Sequence, residues 1–170
     1  LEKANDTVFG LAGRQPEFRG MGTTLVGAFV QGREASILNV GDSRAYLFDG
    51  ETLRQVSEDH SYVEEMRRLG RISAEDARTH PQKNLITRAV GVDATVDGDL
   101  FEVELQDTDI LLLCSDGLTG MVEDEKIAEV LAKAGTLEDK GRELLTLALE
   151  GGGRDNITVA LFTRGAKQEA

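Results

Sequence analysis

An unbroken apolar run, Ile110 to Cys114, is the feature of the sequence that most constrains its fold. Asp109 precedes the run, and the turn-forming triplet Ser115-Asp116-Gly117 ends it. An apolar segment of strand length without polar alternation predicts a central strand that is covered on both faces. The run is the longest apolar stretch of the chain, and it is far too short to cross a bilayer as a helix.

Apolar and helical patterns on both sides of this run predict further strands and helices, which together indicate the α+β class. Apolar segments broken by turn residues predict a β-meander over 24–48, and Asp49-Gly50 predicts a hairpin turn into a return strand at Thr52 to Val56. A last strand is expected at Ile157 to Phe162. Helical composition or spacing marks four segments, 61–69, 73–79, 122–134 and 137–149. This order of elements predicts a largely antiparallel sheet covered by helices.

Length and composition narrow the class of protein. The 170 residues suffice for one domain with a buried core, and no linker or repeat divides them. Lys and Arg number 19 against 31 Asp and Glu, a formal net charge of -12, which is opposite to the balance of a nucleic-acid-binding protein. A single cysteine allows no intramolecular disulfide and favours a reducing compartment, so we expect a cytoplasmic protein.

Two aspartates stand at the ends of predicted strands. Asp116 follows the apolar run, and Asp155 precedes the last strand. If these strands are antiparallel neighbours, both carboxylates lie at one rim, and the adjacent glycines give the backbone room to converge. Converging carboxylates repel unless a cation neutralises them, which predicts a hard divalent metal with oxygen ligands. The alternative is that Asp-Gly and Asp-Asn simply form turns, and spacing alone favours that alternative.

The remaining candidates for chemistry are weaker when taken singly. Asp42 lies between two predicted strands, where its side chain could equally cap a hairpin. His60 and His80 have no zinc-like spacing with Cys114, and the place of Cys114 in the apolar run favours a core position over a nucleophile. Neither a Gly-x-Ser-x-Gly elbow nor a Gly-x-x-x-x-Gly-Lys loop occurs, which argues against common serine hydrolases and nucleotide-binding loops.

Five segments occur in an order that resembles a known family. They are Met-Gly-Thr-Thr at 21–24, Val-Gly-Asp-Ser-Arg-Ala-Tyr at 40–46, Glu-Asp-His-Ser at 58–61, Leu-Leu-Cys-Ser-Asp-Gly-Leu-Thr at 112–119 and Gly-Arg-Asp-Asn-Ile-Thr-Val at 153–159. In this order they resemble the successive motifs of the bacterial PPM (PP2C-type) metal-dependent serine/threonine protein phosphatases. The resemblance runs from about Met21 to Phe162, and five ordered motifs are far more specific than any one of them.

The resemblance carries expectations about fold, metals and activity. It implies a four-layer αββα sandwich of antiparallel sheets, with metals in a cleft at one end and a flap over about 62–89. Asp116 and Asp155 would match the aspartates of one core metal, and Asp42 with Asp116 those of a third, more weakly held metal. The ions would be Mg2+ or Mn2+. The implied activity is hydrolysis of phosphoserine and phosphothreonine in proteins by a metal-activated water, opposing a Ser/Thr protein kinase.

The sequence also departs from the family's pattern. The family begins with a strand carrying a phosphate-binding Arg and an acidic pair, followed by a strand that ends in an Asp-Gly-x-Gly-Gly motif whose Asp bridges the two core metals. Neither motif occurs in these 170 residues. Leu1 to Gly13 would match the helix just before Met-Gly-Thr-Thr. We therefore expect 1–170 to be a single partial domain, a C-terminal fragment lacking the N-terminal strands. No residue is assignable as directly catalytic, and we expect weak metal affinity and little activity from the isolated chain.

Two alternatives stay open at this point. The chain could be a non-catalytic domain that keeps the sandwich as a binding or regulatory surface. Separately, missing N-terminal strands would leave sheet edges exposed, through which two copies could associate. In either case the expected partners are proteins rather than nucleic acid, and no segment of the sequence is apolar enough over its length to enter a membrane.

Overall fold

The computed structural model describes residues 1–165 and places their strands in two sheets. A three-stranded sheet has the order β1-β2-β5, with bounds Leu25–Gln31, Glu34–Val40 and Asp99–Glu104. A four-stranded sheet has the order β4-β3-β6-β7, with bounds Leu53–Gln55, Arg44–Phe48, Ile110–Cys114 and Val159–Phe162. Each pairing in the four-stranded sheet is antiparallel, and the predicted α+β class is confirmed.

Helices occupy much of the sequence between the strands. Those in residues 1–165 are α1 (Glu2–Arg14), α2 (Tyr62–Arg68), α3 (Ala74–Thr79), α4 (Asp116–Thr119), α5 (Asp124–Ala132) and α6 (Leu137–Glu150), with a 3₁₀ turn at Pro16–Phe18. Ser73 and Thr136 start α3 and α6 with capping boxes, each paired with an aspartate three residues on. Among these helices none combines the length and apolar character needed to span a membrane.

The chain divides into two compact units. Unit 1 contains Leu1–Gly27, Leu38–Ser43 and Glu58–Leu100, and unit 2 contains Ala28–Ile37, Arg44–Ser57 and the chain from Phe101 onward. The single domain expected over 1–170 also includes residues 166–170, which lie outside the described residues.

The core of unit 2 forms between its antiparallel sheet and the helices that follow strand β6. Four of the five residues of β6 are buried, Cys114 among them, and the strand lies between β3 and β7. The predicted central strand is therefore confirmed. The fully buried members of this core come from β3, β6, α4, α5 and α6, and they are Tyr46, Leu112, Leu118, Ile127, Val130, Leu144 and Ala148.

Unit 1 is held together by polar contacts as well as apolar ones. Asn5 on α1 is buried and donates from Nδ2 to the carbonyl oxygens of Asp93 and Ala94, each at 3.1 Å. Its Oδ1 accepts from the backbone N–H of Gly91 at 2.7 Å. Because one side chain bonds three backbone groups of this loop, the first helix fixes the loop at 91–94.

The predicted meander over 24–48 is wrong. Strand β2 belongs to the three-stranded sheet, whereas β3 pairs with β4 and β6 in the other sheet. Gly41 has a φ of 103°, a conformation that suits glycine, and the backbone of Ala45 bonds to Val56 and Ser57 instead of to β2. The segment containing Asp42 is thus a connection between the two sheets. Because β2 and β3 do not form a hairpin, the interpretation of Asp42 as a hairpin cap is wrong.

Candidate metal centre

The rim that carries Asp116 and Asp155 is built by strands β6 and β7. These strands are antiparallel neighbours, as predicted, with Cys114 opposite Val159. Just beyond this pair, Ser115 donates from Oγ to the Asn156 carbonyl at 3.0 Å and accepts at Oγ from the Thr158 N–H at 2.9 Å. The bonds join the exit of β6 to the entry of β7, so the segments bearing the two aspartates lie side by side.

Gly117 allows this close approach. It is buried, and a Cβ added to it would lie 2.4 Å from the carbonyl oxygen of Asn156 and 2.9 Å from its carbonyl carbon. Both are backbone atoms, which cannot move aside as a flexible side chain can. The start of α4 at Asp116 and Gly117 therefore packs directly against the segment at Asp155 and Asn156, because residue 117 has no side chain.

The electrostatics of the pair favour a cation. Burial raises the pKa of the half-buried Asp116, and the carboxylate of Asp155 raises it further, while backbone N–H groups and the charge of Arg44 offset only part of the effect. Asp155 is exposed, and its Oδ1 accepts from the Asn156 N–H at 2.7 Å. A divalent cation between two such carboxylates would relieve both their repulsion and the cost of burying charge.

The donor set is small. Among residues 1–165 no group of three or more His, Cys, Asp or Glu side chains is arranged to hold a metal ion. The Asp116 and Asp155 carboxylates are hard oxygen donors of the kind that Mg2+ and Mn2+ take, usually alongside several waters. Two carboxylates fit such an ion in kind.

Arg44 is a residue of this region that the sequence reasoning missed. It lies opposite Cys114 in the pairing of β3 with β6, and its charge lowers the pKa of Asp116 in part. Arg44 Nη1 donates to the hydroxyl of the fully buried Tyr46 at 2.9 Å, and that hydroxyl donates to Asp124 Oδ1 at 3.1 Å. The signal was available, because Arg44 and Tyr46 both stand in the motif that contains Asp42.

Asp42 belongs to unit 1, whereas Asp116 and Asp155 belong to unit 2. It is half-buried, between Gly41 and Ser43. A Cβ on Gly41 would lie 2.4 Å from Thr24 Cγ2, and Thr24 Oγ1 shares a 2.8 Å hydrogen bond with Ser43 Oγ. The first two motifs of the sequence therefore form one local structure around Asp42.

Comparison with known proteins supplies independent evidence. The family model described as protein phosphatase 2C matches residues 6–149. A serine/threonine phosphatase stp of Listeria welshimeri is 46% identical over 169 residues, which are 99% of this chain and 67% of the relative. The protein phosphatase PhpP of Streptococcus pneumoniae is 40% identical over 163 residues, covering 96% of this chain and 66% of the relative.

Solved structures agree with these sequence relatives. The serine/threonine phosphatase Stp1 from Staphylococcus aureus superimposes with a TM-score of 0.92 at 43% identity, covering 95% of this chain and 64% of that one. The catalytic domain of PstP, solved in complex with two manganese ions, gives a TM-score of 0.83 at 36% identity over 92% of this chain and 64% of its own. The chain thus spans about two thirds of the length of the proteins it resembles, and it shares their fold.

Proposed function

Because the chain belongs to the protein phosphatase 2C family, we propose that it serves as the metal-binding part of a protein serine/threonine phosphatase. The relatives named as serine/threonine phosphatases support the reaction class. The observation that carries the proposal is the placement of Asp116 and Asp155 on adjoining segments at one rim of the four-stranded sheet, where burial and the charge of Asp155 raise the pKa of Asp116. Phosphorylated serine and threonine side chains of proteins are the proposed substrates.

We assign the metal ligands as follows. Asp116 and Asp155 hold a divalent cation, Mg2+ or Mn2+, and Asp42 is a ligand of a more weakly held one. A cation held by these carboxylates would supply polarisation of phosphoryl oxygens and would make a bound water more acidic. The chain's own residues keep the ligands in place: Ser115 and Gly117 fix the turn of Asp116, and Tyr46 holds Arg44, whose positive charge acts on Asp116.

The activity of these 170 residues by themselves is proposed to be low. They contain no Asp-Gly-x-Gly-Gly motif, the carrier of the bridging Asp in the family's pattern. Loss of an electrostatic stabiliser typically lowers the rate by about 100- to 1,000-fold, and loss of a metal-bridging ligand should lower it further. The same observation favours the second candidate, a non-catalytic domain of this fold that binds a protein partner.

Further roles follow from the same family assignment. We propose that the segment at about 62–89, which contains α2 and α3, is a flap that contacts substrate, and that a Ser/Thr protein kinase supplies the phosphoprotein. A single buried cysteine, Cys114, suits a reducing compartment, which supports a cytoplasmic site of action.

Self-association is a separate proposal with its own support. Strands β1 and β5 are the outer strands of the three-stranded sheet, and each exposes a large apolar side chain, Phe29 at 69% and Leu100 at 73%. Outer strands with exposed apolar residues favour pairing between copies. Analytical ultracentrifugation over a range of concentrations should detect a dimer that the double variant Phe29→Ser, Leu100→Ser weakens, and a monomer at all concentrations would contradict this.

The assignment of the metal ligands is testable by direct binding. Titration of the chain with Mn2+, followed by electron paramagnetic resonance of the free ion, should show binding that Asp116→Asn and Asp155→Asn each reduce by about tenfold or more. Glu150→Gln, which removes an exposed carboxylate at the end of α6, is the matched control and should bind as the original chain does. Equal binding by all four proteins would refute the assignment.

A further inference from the structure

The backbone N–H and the carbonyl oxygen of Gly41, the residue before Asp42, are both hydrogen-bonded. Its N–H donates to His60 Nδ1 at 3.0 Å. Its carbonyl oxygen accepts from the backbone N–H of His60 at 2.9 Å and from Asn39 Nδ2 at 3.2 Å. Because Gly41 adopts a φ of 103°, the direction of the chain into Asp42 depends on these three bonds and not on a regular ladder of backbone hydrogen bonds.

The side chain of His60 is buried and hydrogen-bonded through both ring nitrogens. Its side chain is only 7% exposed, and Nε2 lies 3.1 Å from Asp99 Oδ2. An N–H can donate to Nδ1 only if Nδ1 carries a lone pair, so the single proton of the neutral ring lies on Nε2, which donates to Asp99. The ring is thus fixed at both ends, as an acceptor towards Gly41 and as a donor towards Asp99.

Asp99 is itself held from a second side. Arg88 Nη1 donates to Asp99 Oδ1 at 2.8 Å and to the carbonyl oxygen of Asp97 at 3.1 Å. The carbonyl oxygen of His60 accepts from the Thr87 N–H at 2.8 Å. A continuous chain of hydrogen bonds therefore runs within unit 1 from the segment at 87–99, through His60, to the backbone of Gly41, the residue before Asp42.

We propose that His60 is a positioning residue for Asp42. Its Nδ1 accepts from the Gly41 N–H and so fixes the backbone conformation of Gly41, which sets the direction of the Asp42 carboxylate towards its cation; this role rests on the proposed function of Asp42 as a metal ligand. Groups that orient a metal ligand from behind commonly affect metal affinity by about 10- to 100-fold when removed. The requirement is specific: an acceptor must stand at the position of Nδ1, and a side chain that merely fills the space does not suffice.

The ring proton provides the first test, and it needs no variant of His60. The 15N shifts of the His60 ring in the full chain should show protonation at Nε2 and a lone pair at Nδ1. The only other histidine is His80, so the spectrum of His80→Asn assigns the signals. A ring protonated at Nδ1 cannot accept from Gly41, and that result would overturn the proposal.

Two substitutions of His60 separate its acceptor from its donor. In His60→Asn the amide oxygen stands where Nδ1 stood, so the bond from the Gly41 N–H can form while the bond to Asp99 is lost. In His60→Gln the amide group extends to the position of Nε2 and reaches Asp99, but no acceptor faces Gly41. Thermal unfolding of both variants establishes that each is folded at the temperature of the binding measurement.

Mn2+ binding to the full chain is then measured for these variants and for Asp42→Asn. We expect His60→Gln to lose the same weakly held ion that Asp42→Asn loses, with affinity about tenfold lower or more, and His60→Asn to retain it. Equal affinities in His60→Asn and His60→Gln, whether both high or both low, would overturn the proposal. So would unchanged binding in Asp42→Asn, whereas the proposed function is judged separately by Asp116→Asn and Asp155→Asn.

Discussion

Asp116 and Asp155 lie at one rim of the four-stranded sheet, and burial of Asp116 together with the charge of Asp155 raises the pKa of Asp116 above its ordinary value of 3.8. In the unfolded chain Asp116 ionises near that ordinary value, whereas in the fold it keeps its proton to higher pH. As pH rises from the ordinary pKa of Asp116 towards its raised pKa in the fold, the carboxyl group loses its proton first in the unfolded state. The contribution of Asp116 to stability therefore falls as pH rises when no metal is present.

The fall in stability with rising pH gives a prediction for Asp155→Asn. The substitution removes the repulsion, so in the presence of a chelator the variant should lose less stability than the original chain between about pH 4 and 7. Mn2+ should in turn stabilise the original chain more than the variant. Urea unfolding as a function of pH measures both effects, and Glu150→Gln is the control. A variant that loses more stability than the original chain over this range would contradict the account.

Gly117→Ala should destabilise the fold by about 1–3 kcal/mol, because the new methyl group would meet backbone atoms of Asn156 and force the two rim segments apart. Gly13→Ala is the matched control. Gly13 lies on α1, and the added carbon would meet nothing within 4 Å beyond its chain neighbours and the backbone of its own helix, so that substitution should stabilise the chain by roughly 0.5–1 kcal/mol. Thermal unfolding compares the two, and equal effects would mean that the contact at Gly117 is not restrictive.

Lys140 makes a different kind of contact that also supports unit 2. Its buried ammonium group donates to the carbonyl oxygens of Leu131 and Lys133 at the end of α5, and burial lowers its pKa. Lys140→Met leaves those carbonyls without the donor and should cost about 1–3 kcal/mol. Lys126→Met, which removes an exposed ion pair with Glu129, should change the stability by no more than about 0.5 kcal/mol. Chemical denaturation that ranks the two variants in the reverse order would refute this role of Lys140.

Patterns of apolar residues predicted the central strand and the helices α5 and α6, composition and a capping sequence predicted α2 and α3, and only the family resemblance indicated α1. The run at Ile110 to Cys114 has no alternative to burial, and its antiparallel neighbour β7 follows from the last apolar segment. Strand β5 was missed, although its alternation of half-buried and exposed residues is the pattern of a strand with one open face. The short helix α4 was missed as well, because four residues are too few for helical periodicity to show.

The residues of the candidate site could be predicted from local sequence motifs, but the contacts that hold them in place could not. The motifs predicted Asp42, Asp116 and Asp155 as candidates, and the family resemblance behind that assignment is confirmed. The passage of the chain from one sheet to the other at Gly41 depends on contacts with Thr24 and His60, which are distant in sequence. Arg44 and Tyr46 stand in one of the quoted motifs but were not singled out, because the bond from Tyr46 to Asp124 forms only in the folded chain.

The most direct test of the central claim is phosphate release from a phosphothreonine peptide in the presence of Mn2+. Two proteins are compared: the 170-residue chain, and a chimera that joins to it the third of the Listeria welshimeri relative that this chain does not match. Asp116→Asn and Asp155→Asn are made in the chimera, with Glu150→Gln as the control. All proteins are assayed with and without a chelator.

We expect the chimera to release phosphate readily, and the 170-residue chain to do so at least about 100-fold more slowly. Asp116→Asn, Asp155→Asn and the chelator should each reduce the chimera to a similar low level, and Glu150→Gln should leave it unchanged. Full activity in the chimeras that carry Asp116→Asn or Asp155→Asn would contradict the claim that these two carboxylates hold the catalytic metal.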